Sequence, residues 1–239
     1  MLLLPILMYH KVDVVPPGAR YVENYVFPDQ FDAQLAALSL WGYTPITLED
    51  WLDFRAGRRQ APRRPIALTF DDGYRSNHDI AWPLLRRHGA TATVFLVADF
   101  LGGTNRWDAH ELQEPLLGPA EIAAMQAGGI HFGSHTCTHR SLPHLPLAEA
   151  LDELTRSRAT LEELLGRPVI ALAYPYNNHN SAVRALARRA GYAAAVLGRG
   201  RVNARWTNPW ALRRIRVDLQ TTIEELRRQL ARLRWLAGV

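Results

Sequence analysis

A strand that ends in two adjacent carboxylates restricts this chain more than any other feature of its sequence. Residues 65–70 read Pro-Ile-Ala-Leu-Thr-Phe, a continuous apolar run typical of a strand covered on both faces of a parallel sheet. Asp71 and Asp72 follow directly, and Gly73 permits a tight turn. Two carboxylates at a buried strand end repel each other, so each must be hydrated, paired with a cation or bound to a metal ion. The alternative is an ordinary Asp-Asp-Gly turn whose carboxylates cap the next helix.

Short apolar runs alternate with amphipathic stretches along the chain. The runs predict about eight strands separated by helices, which implies βαβ units and a mainly parallel sheet. The polar clusters fall just after strands, and this is the end at which sites form in (β/α) barrels. With no internal repeat and no dividing linker, the sequence predicts one α/β domain over residues 1–239, a (β/α) barrel of eight or fewer units.

Helix ends can be located from the residues at the boundaries. Pro28 opens the first predicted helix, and Thr47, with an acid three positions later, resembles the N-cap of the second. Three predicted helices are closed by a glycine: Gly42, Gly166 and Gly191.

Two histidines four residues apart form a second polar cluster, within residues 134–139. If this stretch is helical, His135 and His139 lie on one face and can reach one ion; two hydrogen-bonded surface histidines are the alternative. Neutral imidazole with carboxylate suits zinc, cobalt, nickel or iron. Together with Asp72 they would make a two-histidine, one-carboxylate site whose open positions mark a catalytic metal. Cys137 should point elsewhere and serve packing.

The two motifs in combination resemble the polysaccharide deacetylases, the carbohydrate esterases with a NodB-homology domain. Thr-Phe-Asp-Asp-Gly at residues 69–73 and His-Thr-x-x-His at 135–139 carry the resemblance. Ala-Tyr-Pro-Tyr at 173–176 resembles the third motif of that family. Met-Tyr-His-Lys at 8–11 and the segment 28–50 are similar to the start of the biofilm poly-N-acetylglucosamine deacetylases, so the resemblance covers nearly the whole chain.

The resemblance implies a deformed (β/α) barrel with about seven parallel strands. It also implies metal-dependent hydrolysis of N-acetyl groups from an aminosugar polymer or oligosaccharide, which releases acetate. The implied cofactor is one divalent metal ion, zinc first and cobalt or nickel as alternatives, held by Asp72, His135 and His139. Asp71 takes the role of general base, and the implied partner is an N-acetylated saccharide.

The chain departs from the family pattern at two catalytic positions. Many members take their catalytic acid from a Leu-x-His motif near the C-terminus, but no histidine follows His179 here. The biofilm-type members place this histidine in the N-terminal Tyr-His, which makes His10 the catalytic acid. Ala173 occupies the position of the arginine that orients the base. Arg214, in a Leu-Arg-Arg-Ile segment similar to one in the biofilm-type members, would take its place.

Three residues are predicted to lie on the substrate side of the site: Tyr176, Trp206 and Arg214. The backbone N–H of Tyr176 would hold the oxyanion of the tetrahedral intermediate. Trp206 and Trp210 would stack on sugar faces, with burial in the core as the alternative.

Two other functions stay open on the sequence alone. One is a carbohydrate-binding barrel without catalysis, favoured by Ala173 and by the missing C-terminal histidine. The other is a metal-dependent amidase that acts on a small non-sugar amide. Binding without turnover would favour the first, and activity on small amides but not on aminosugars would favour the second.

Composition excludes several further classes. One cysteine excludes a disulfide framework and any cysteine-rich zinc module. The formal net charge is +5 and Lys11 is the only lysine, so arginine supplies the basic charge. No nucleic-acid motif accompanies it, and we expect no nucleic-acid partner. No apolar run approaches the roughly 20 residues of a membrane span and no leader pattern is present, so the cytoplasm is the default expectation.

Overall fold

A strip of parallel strands forms the centre of the computed structural model, which describes residues 3–198 and 203–235. The strands are β1 (Leu3–Leu4), β2 (Ile6–Tyr9), β3 (Lys11–Val12), β4 (Tyr25–Val26), β5 (Thr44–Ile46), β6 (Pro65–Phe70), β7 (Thr93–Leu96), β8 (His131–Ser134), β9 (Ala171–Ala173), β10 (Ala194–Val196), β11 (Asn203–Ala204) and β12 (Ile215–Arg216). The helices are α1 (Pro28–Leu40), α2 (Leu48–Ala56), α3 (Trp82–Arg87), α4 (Pro119–Ala127), α5 (Leu147–Leu165), α6 (Ser181–Arg189) and α7 (Ile223–Trp235).

Seven of the described strands lie side by side in the order β10-β9-β8-β7-β6-β2-β12, and β5 pairs with the first half of β6. The segment before β12 bridges the two outer strands of this strip. The N–H of Leu212 donates to the carbonyl oxygen of Ala195, in β10, at 2.9 Å, and Ile215 of β12 pairs with Leu7 of β2. The strip therefore curls into a deformed (β/α) barrel, which confirms the predicted fold class.

Alternate residues of each strand pack on opposite sides of the curled sheet. Leu7 and Leu68 belong to an outer cluster that most of the helices share. Ile6 and Ala67 belong to an inner cluster, in which the ring of Phe95 fills space beside Gly133. A Cβ atom at Gly133 would lie 2.6 Å from that ring, so no larger residue fits there.

The helix boundaries follow the predicted signals. The Oγ1 of Thr47 accepts the N–H of Asp50 at 3.0 Å, and Asp50 Oδ2 accepts the N–H of Thr47 at 3.0 Å, which completes a capping box. The glycines predicted to close three helices all have a left-handed backbone: Gly42, Gly166 and Gly191. Among the described helices, none combines the length and the apolar character that a membrane crossing requires.

Candidate active site

A cleft of about 500 Å³ lies at the carboxyl end of the parallel strands. It collects polar side chains from the loops that follow β2, β6, β8 and β9, which are distant in sequence. Its lining includes His10, Asp71, Asp72, Asp108, His135 and His139. The structure thus brings together all five predicted catalytic and metal-ligating residues at the predicted end of the sheet.

Asp71 is held in a buried ion pair with Arg214. Nη1 and Nη2 of Arg214 each donate to one carboxylate oxygen of Asp71 at 2.6 Å, and Nε donates to the carbonyl oxygen of Leu197 at 2.9 Å. Burial by itself would raise the pKa of Asp71, but the charge and hydrogen bonds of Arg214 hold that pKa well below its usual range. Asp71 is therefore ionised at neutral pH.

The same contact corrects the placement of Arg214. Its side chain is 1% exposed and lies against Asp71, so no part of it faces the cleft where a substrate would bind. Direct substrate binding by Arg214 does not fit this position. The contact with Asp71 does match the arginine that the resemblance implied, although it comes from the last strand instead of the third motif.

Asp72 faces the two predicted histidines. Its Oδ1 lies 3.4 Å from Nε2 of His135 and 3.4 Å from Nε2 of His139. All three side chains are buried, and their candidate ligand atoms lie within 4.8 Å of one another. Ligand atoms at about 2.0–2.1 Å from a tetrahedral ion are themselves about 3.3–3.4 Å apart, so this spacing fits one divalent cation.

The protonation of the two histidines also fits metal binding. Nδ1 of His135 lies 2.8 Å from the carbonyl oxygen of Ala173, and because a carbonyl only accepts, Nδ1 carries the proton and Nε2 presents its lone pair. Burial lowers the pKa of His135, and it lowers the pKa of His139 to about 4. Both rings are neutral at pH 7, which is the form that binds a metal. Ala173, which stands where the family pattern has an arginine side chain, thus contributes its backbone carbonyl oxygen to the site.

A loop, not a helix, brings the two histidines together. Residues 135–140 contain no helical turn, so the helical face that would have aligned the two imidazoles is not formed. Thr136 and His139 adopt left-handed backbone, with φ of 69° and 61°. The Oγ1 of Thr136 accepts the N–H of His139 at 3.1 Å, and Glu153 of α5 accepts two successive N–H groups that begin at Cys137. Cys137 is buried, as expected for a packing residue.

In residues 3–198 and 203–235, left-handed backbone at residues other than glycine is found only in the loops around this cleft. Among the described residues, the non-glycine positions with positive φ are Asp72, Thr136, His139, Tyr176 and Asn177. Such a conformation costs on the order of 1–3 kcal/mol at each residue and persists only when the surrounding structure fixes it. The cleft therefore stores backbone strain at the positions that carry its polar side chains.

His10 follows β2 and lines the cleft beside both aspartates. Burial lowers the pKa of His10, while the charges of Asp72 and Asp71 act in the opposite direction. Its Nδ1 is buried and has no hydrogen-bonding partner within the described part of the chain. A bound ligand could supply that partner.

The predicted substrate-side aromatic residues lie in different places. Tyr176 lines the cleft, is half-exposed, and sets its ring edge-on to His139 with 4.6 Å between ring centroids. Trp206 follows β11, which pairs with β1 at the amino end of the sheet, and it does not line the cleft. The Nε1 of Trp210 donates to the carbonyl oxygen of Tyr192 at 2.8 Å, and its ring packs against the core.

Two parts of the cleft wall have no counterpart in the sequence prediction. Trp107 stacks on His139 with 4.8 Å between ring centroids, and Asp108 and Tyr21 line the cleft. These residues carry no motif, but both their segments are long irregular loops after strands. A connection of that length in a barrel is commonly functional, and this was the signal available in the sequence.

Comparison with known proteins gives matches over most of the chain. The family model described as polysaccharide deacetylase matches residues 58–195. YxkH of Bacillus subtilis is 25% identical over 215 residues, which make up 90% of this chain and 71% of YxkH. The poly-beta-1,6-N-acetyl-D-glucosamine N-deacetylase of Staphylococcus epidermidis is 28% identical over 189 residues, 71% of this chain but only 63% of that enzyme.

A solved structure matches this chain over nearly its whole length. The Streptococcus pyogenes deacetylase PplD, in complex with acetate, superposes with a TM-score of 0.84 and 26% sequence identity. The alignment covers 96% of this chain and 98% of PplD. The curled sheet and the loops at its carboxyl end therefore have a counterpart of nearly the same length.

Proposed function

Because this chain belongs to the polysaccharide deacetylase family, we propose that it hydrolyses the N-acetyl groups of an N-acetylated aminosugar polymer or oligosaccharide and releases acetate. One observation carries the proposal. Two adjacent aspartates at the end of β6 have different surroundings: Asp71 is ionised against Arg214, and Asp72 faces two neutral histidines. Metal-assisted hydrolysis of an amide uses a fixed base and a cation site at one carbonyl group.

Asp72, His135 and His139 would hold one divalent metal ion, with zinc as the first candidate and cobalt or nickel as alternatives. A divalent cation, when bound, polarises the acetamide carbonyl and lowers the pKa of water. The 3.4 Å spacings between donor atoms and the fixed tautomer of His135 support this assignment.

Asp71 would act as the general base. Its two hydrogen bonds from Arg214 fix the orientation of the carboxylate and keep it ionised at neutral pH. A carboxylate whose pKa is lowered is a weak base, so Asp71 can deprotonate only a water that is already acidified. A positioned general base typically contributes about 10²–10⁴-fold to the rate.

His10 would protonate the departing amine, and the backbone N–H of Tyr176 would stabilise the oxyanion. Burial lowers the pKa of His10, and the charges of Asp72 and Asp71 oppose that shift. Its position in the same cleft as both aspartates supports this role.

The test measures acetate release from N-acetylglucosamine oligomers. We expect chelator-treated protein to be inactive and protein reloaded with zinc, cobalt or nickel to release acetate. The absence of acetate release from every acetylated oligomer with all three metals would contradict the proposal. Binding without turnover would indicate a carbohydrate-binding barrel, and activity on small non-sugar amides alone would indicate an amidase.

Variants separate the two aspartates in the same assay. We expect Asp71→Asn to lower the rate about 10²–10⁴-fold while the bound metal stays near one ion per chain. Asp72→Asn should lose the metal itself. Asp79→Asn, a half-exposed carboxylate outside the cleft, makes the same chemical change and should alter neither quantity. Full activity of Asp71→Asn would show that Asp71 is not the base.

A further inference from the structure

One wall of the cleft is a loop, residues 13–24, that the proposed chemistry does not use. Its two ends are held together where β3 pairs with β4, and the N–H of Asp13 donates to the carbonyl oxygen of Val26 at 3.0 Å. The loop carries Tyr21, whose side chain lines the cleft and is 42% exposed. An aromatic ring that is left half-exposed beside an active site offers a surface for a ligand.

A buried carboxylate from a distant segment holds the backbone at Tyr21. Glu111, which is 6% exposed, accepts the N–H of Tyr21 at 2.9 Å and the N–H of Arg20 at 3.0 Å. Burial alone would raise the pKa of Glu111, but the backbone hydrogen bonds that it accepts outweigh this effect and bring the pKa below its usual value. The carboxylate therefore stays charged. Hydrogen bonds to a charged acceptor are about twice as strong as neutral ones.

The other end of the same segment is held from β12. Nη2 of Arg216 donates to the carbonyl oxygen of Glu23 at 3.2 Å and to Oδ1 of Asn24 at 3.1 Å. The N–H of Asn24 donates in turn to the carbonyl oxygen of Tyr21 at 2.9 Å. Residues 20–24 are thus fixed at both ends, and a ring on such a segment loses little conformational entropy when it binds a ligand.

A second half-exposed tyrosine lines the same cleft. Tyr176 contacts His139 with its ring and comes from the loop after β9, far in sequence from Tyr21. Burial raises the pKa of Tyr176 to about 12, so its hydroxyl stays protonated at neutral pH. Tyr21 and Tyr176 line the same cleft of about 500 Å³, together with the polar side chains of Glu23 and Asn24. Two such rings offer apolar faces, which match the C–H faces of a pyranose, between polar groups that match its hydroxyls.

We propose that Tyr21 and Tyr176 form the two sides of a saccharide subsite, and that Glu111 is the positioning residue that holds Tyr21 in place. The ligand is a pyranose ring of an aminosugar oligomer, and the two tyrosine rings add affinity for the oligomer, whereas the chemistry uses only the backbone N–H of Tyr176. This inference rests on the proposed function for the class of its ligand.

The test is the dissociation constant of an N-acetylglucosamine tetramer, measured by calorimetry on chelator-treated protein, which does not consume the ligand. We expect Tyr21→Ala to raise the Kd about tenfold, equivalent to about 1.4 kcal/mol, and Tyr21→Phe, which keeps the ring, to change it less than twofold. Val22→Ala is the matched control, because Val22 is 44% exposed on the same loop and does not line the cleft.

Equal Kd values for the wild type and Tyr21→Ala would overturn the subsite, and so would an equal loss in Val22→Ala or no binding at all. Failure of the proposed function has a different signature. It appears as the absence of acetate with every metal, whatever the Kd values are.

A double-mutant cycle tests the positioning role of Glu111. Glu111→Gln replaces one acceptor oxygen by an amide that cannot accept a backbone N–H. We expect this change to raise the Kd several-fold in the wild type and to have no further effect in the Tyr21→Ala background. An equal effect in both backgrounds would mean that Glu111 supports the structure generally, and it would overturn the assignment. The thermal unfolding midpoint of each variant checks that the protein is folded.

Discussion

At the amino end of the sheet the left-handed turns are glycines, whereas at the carboxyl end most are residues with side chains. Each of the helices α1–α6 is followed, before the next strand, by a glycine with positive φ: Gly42, Gly57, Gly89, Gly129, Gly166 and Gly191. Around the cleft the same backbone region is occupied by an aspartate, a threonine, a histidine, a tyrosine and an asparagine. Glycine adopts this conformation without a steric penalty, and the other residues do not.

The difference shows what each end is selected for. At the amino end the turns only need to reverse the chain, so the residue with the lowest conformational cost is used. At the carboxyl end three of the strained positions, Asp72, His139 and Tyr176, also line the cleft. A glycine there would remove the side chain on which the proposed chemistry depends. Strain is therefore retained where a side chain must point in a direction that relaxed backbone does not provide.

The largest effect should come from removing the ion pair that fixes the strained end. Arg214→Ala leaves the buried carboxylate of Asp71 without a partner, and we expect it to lower the free energy of unfolding by about 3–5 kcal/mol. Arg216→Ala is the matched control. Arg216 lies two residues away, is partly exposed and should cost less than about 1 kcal/mol. Denaturant titration measures both, and similar losses would mean that the Asp71–Arg214 pair does not fix this end.

A glycine placed at the strained end should separate stability from activity. We expect Asp72→Gly to lower acetate release at least about 100-fold, because it removes a proposed metal ligand. Burial raises the pKa of Asp72, so without metal this carboxyl group is poorly accommodated. The metal-free variant should therefore be as stable as the wild type or more stable, by up to about 1 kcal/mol. A clear loss of stability in the metal-free variant would break the comparison.

The sequence indicated the left-handed turns at the amino end of the sheet but not those at the carboxyl end. Gly166 and Gly191 mark their helix ends because glycine is the residue that the turn requires. The left-handed backbone of Thr136 and His139 could not be predicted in this way, because threonine and histidine rarely adopt that conformation and no neighbouring residue indicates it. The four-residue spacing of the histidines therefore suggested a helix, whereas a loop brings the two imidazoles together.

Contacts between segments that are distant in sequence could not be predicted either. Glu111 holds the loop that carries Tyr21 across 90 residues of chain, and neither segment has a motif. The bond between His135 and the carbonyl oxygen of Ala173 uses a backbone atom, which every residue possesses. Such contacts depend on the three-dimensional path of the loops.

A side chain placed at the glycine end should have a moderate effect. No atom lies within 4 Å of a Cβ built on Gly166, so only its backbone conformation matters there. We expect Gly166→Ala to lower the free energy of unfolding by about 1–2 kcal/mol. Gly166→Asn should cost less, because asparagine tolerates the left-handed region. Equal costs measured for the two variants would argue against backbone strain as the cause.

The smallest effect should come from Trp206, at the end of the sheet opposite the cleft. Its side chain is 72% exposed there, and we expect Trp206→Ala to leave kcat/KM for acetylated oligomers within about twofold. Tyr176→Ala, in the cleft, should lower the same quantity several-fold. A large loss in Trp206→Ala would mean that the substrate extends to both ends of the barrel.

The Asp71–Arg214 pair joins residues 143 positions apart, and this separation has a consequence for biosynthesis. At about 5–20 residues per second, a ribosome needs on the order of ten seconds to deliver the arginine after the aspartate has been made. Until then the carboxylate of Asp71 lacks the partner that neutralises it in the folded chain. Closure of the sheet by its last strand and neutralisation of that charge therefore happen together, so a chain that stops before β12 keeps an open, charged interior that proteases and chaperones can recognise.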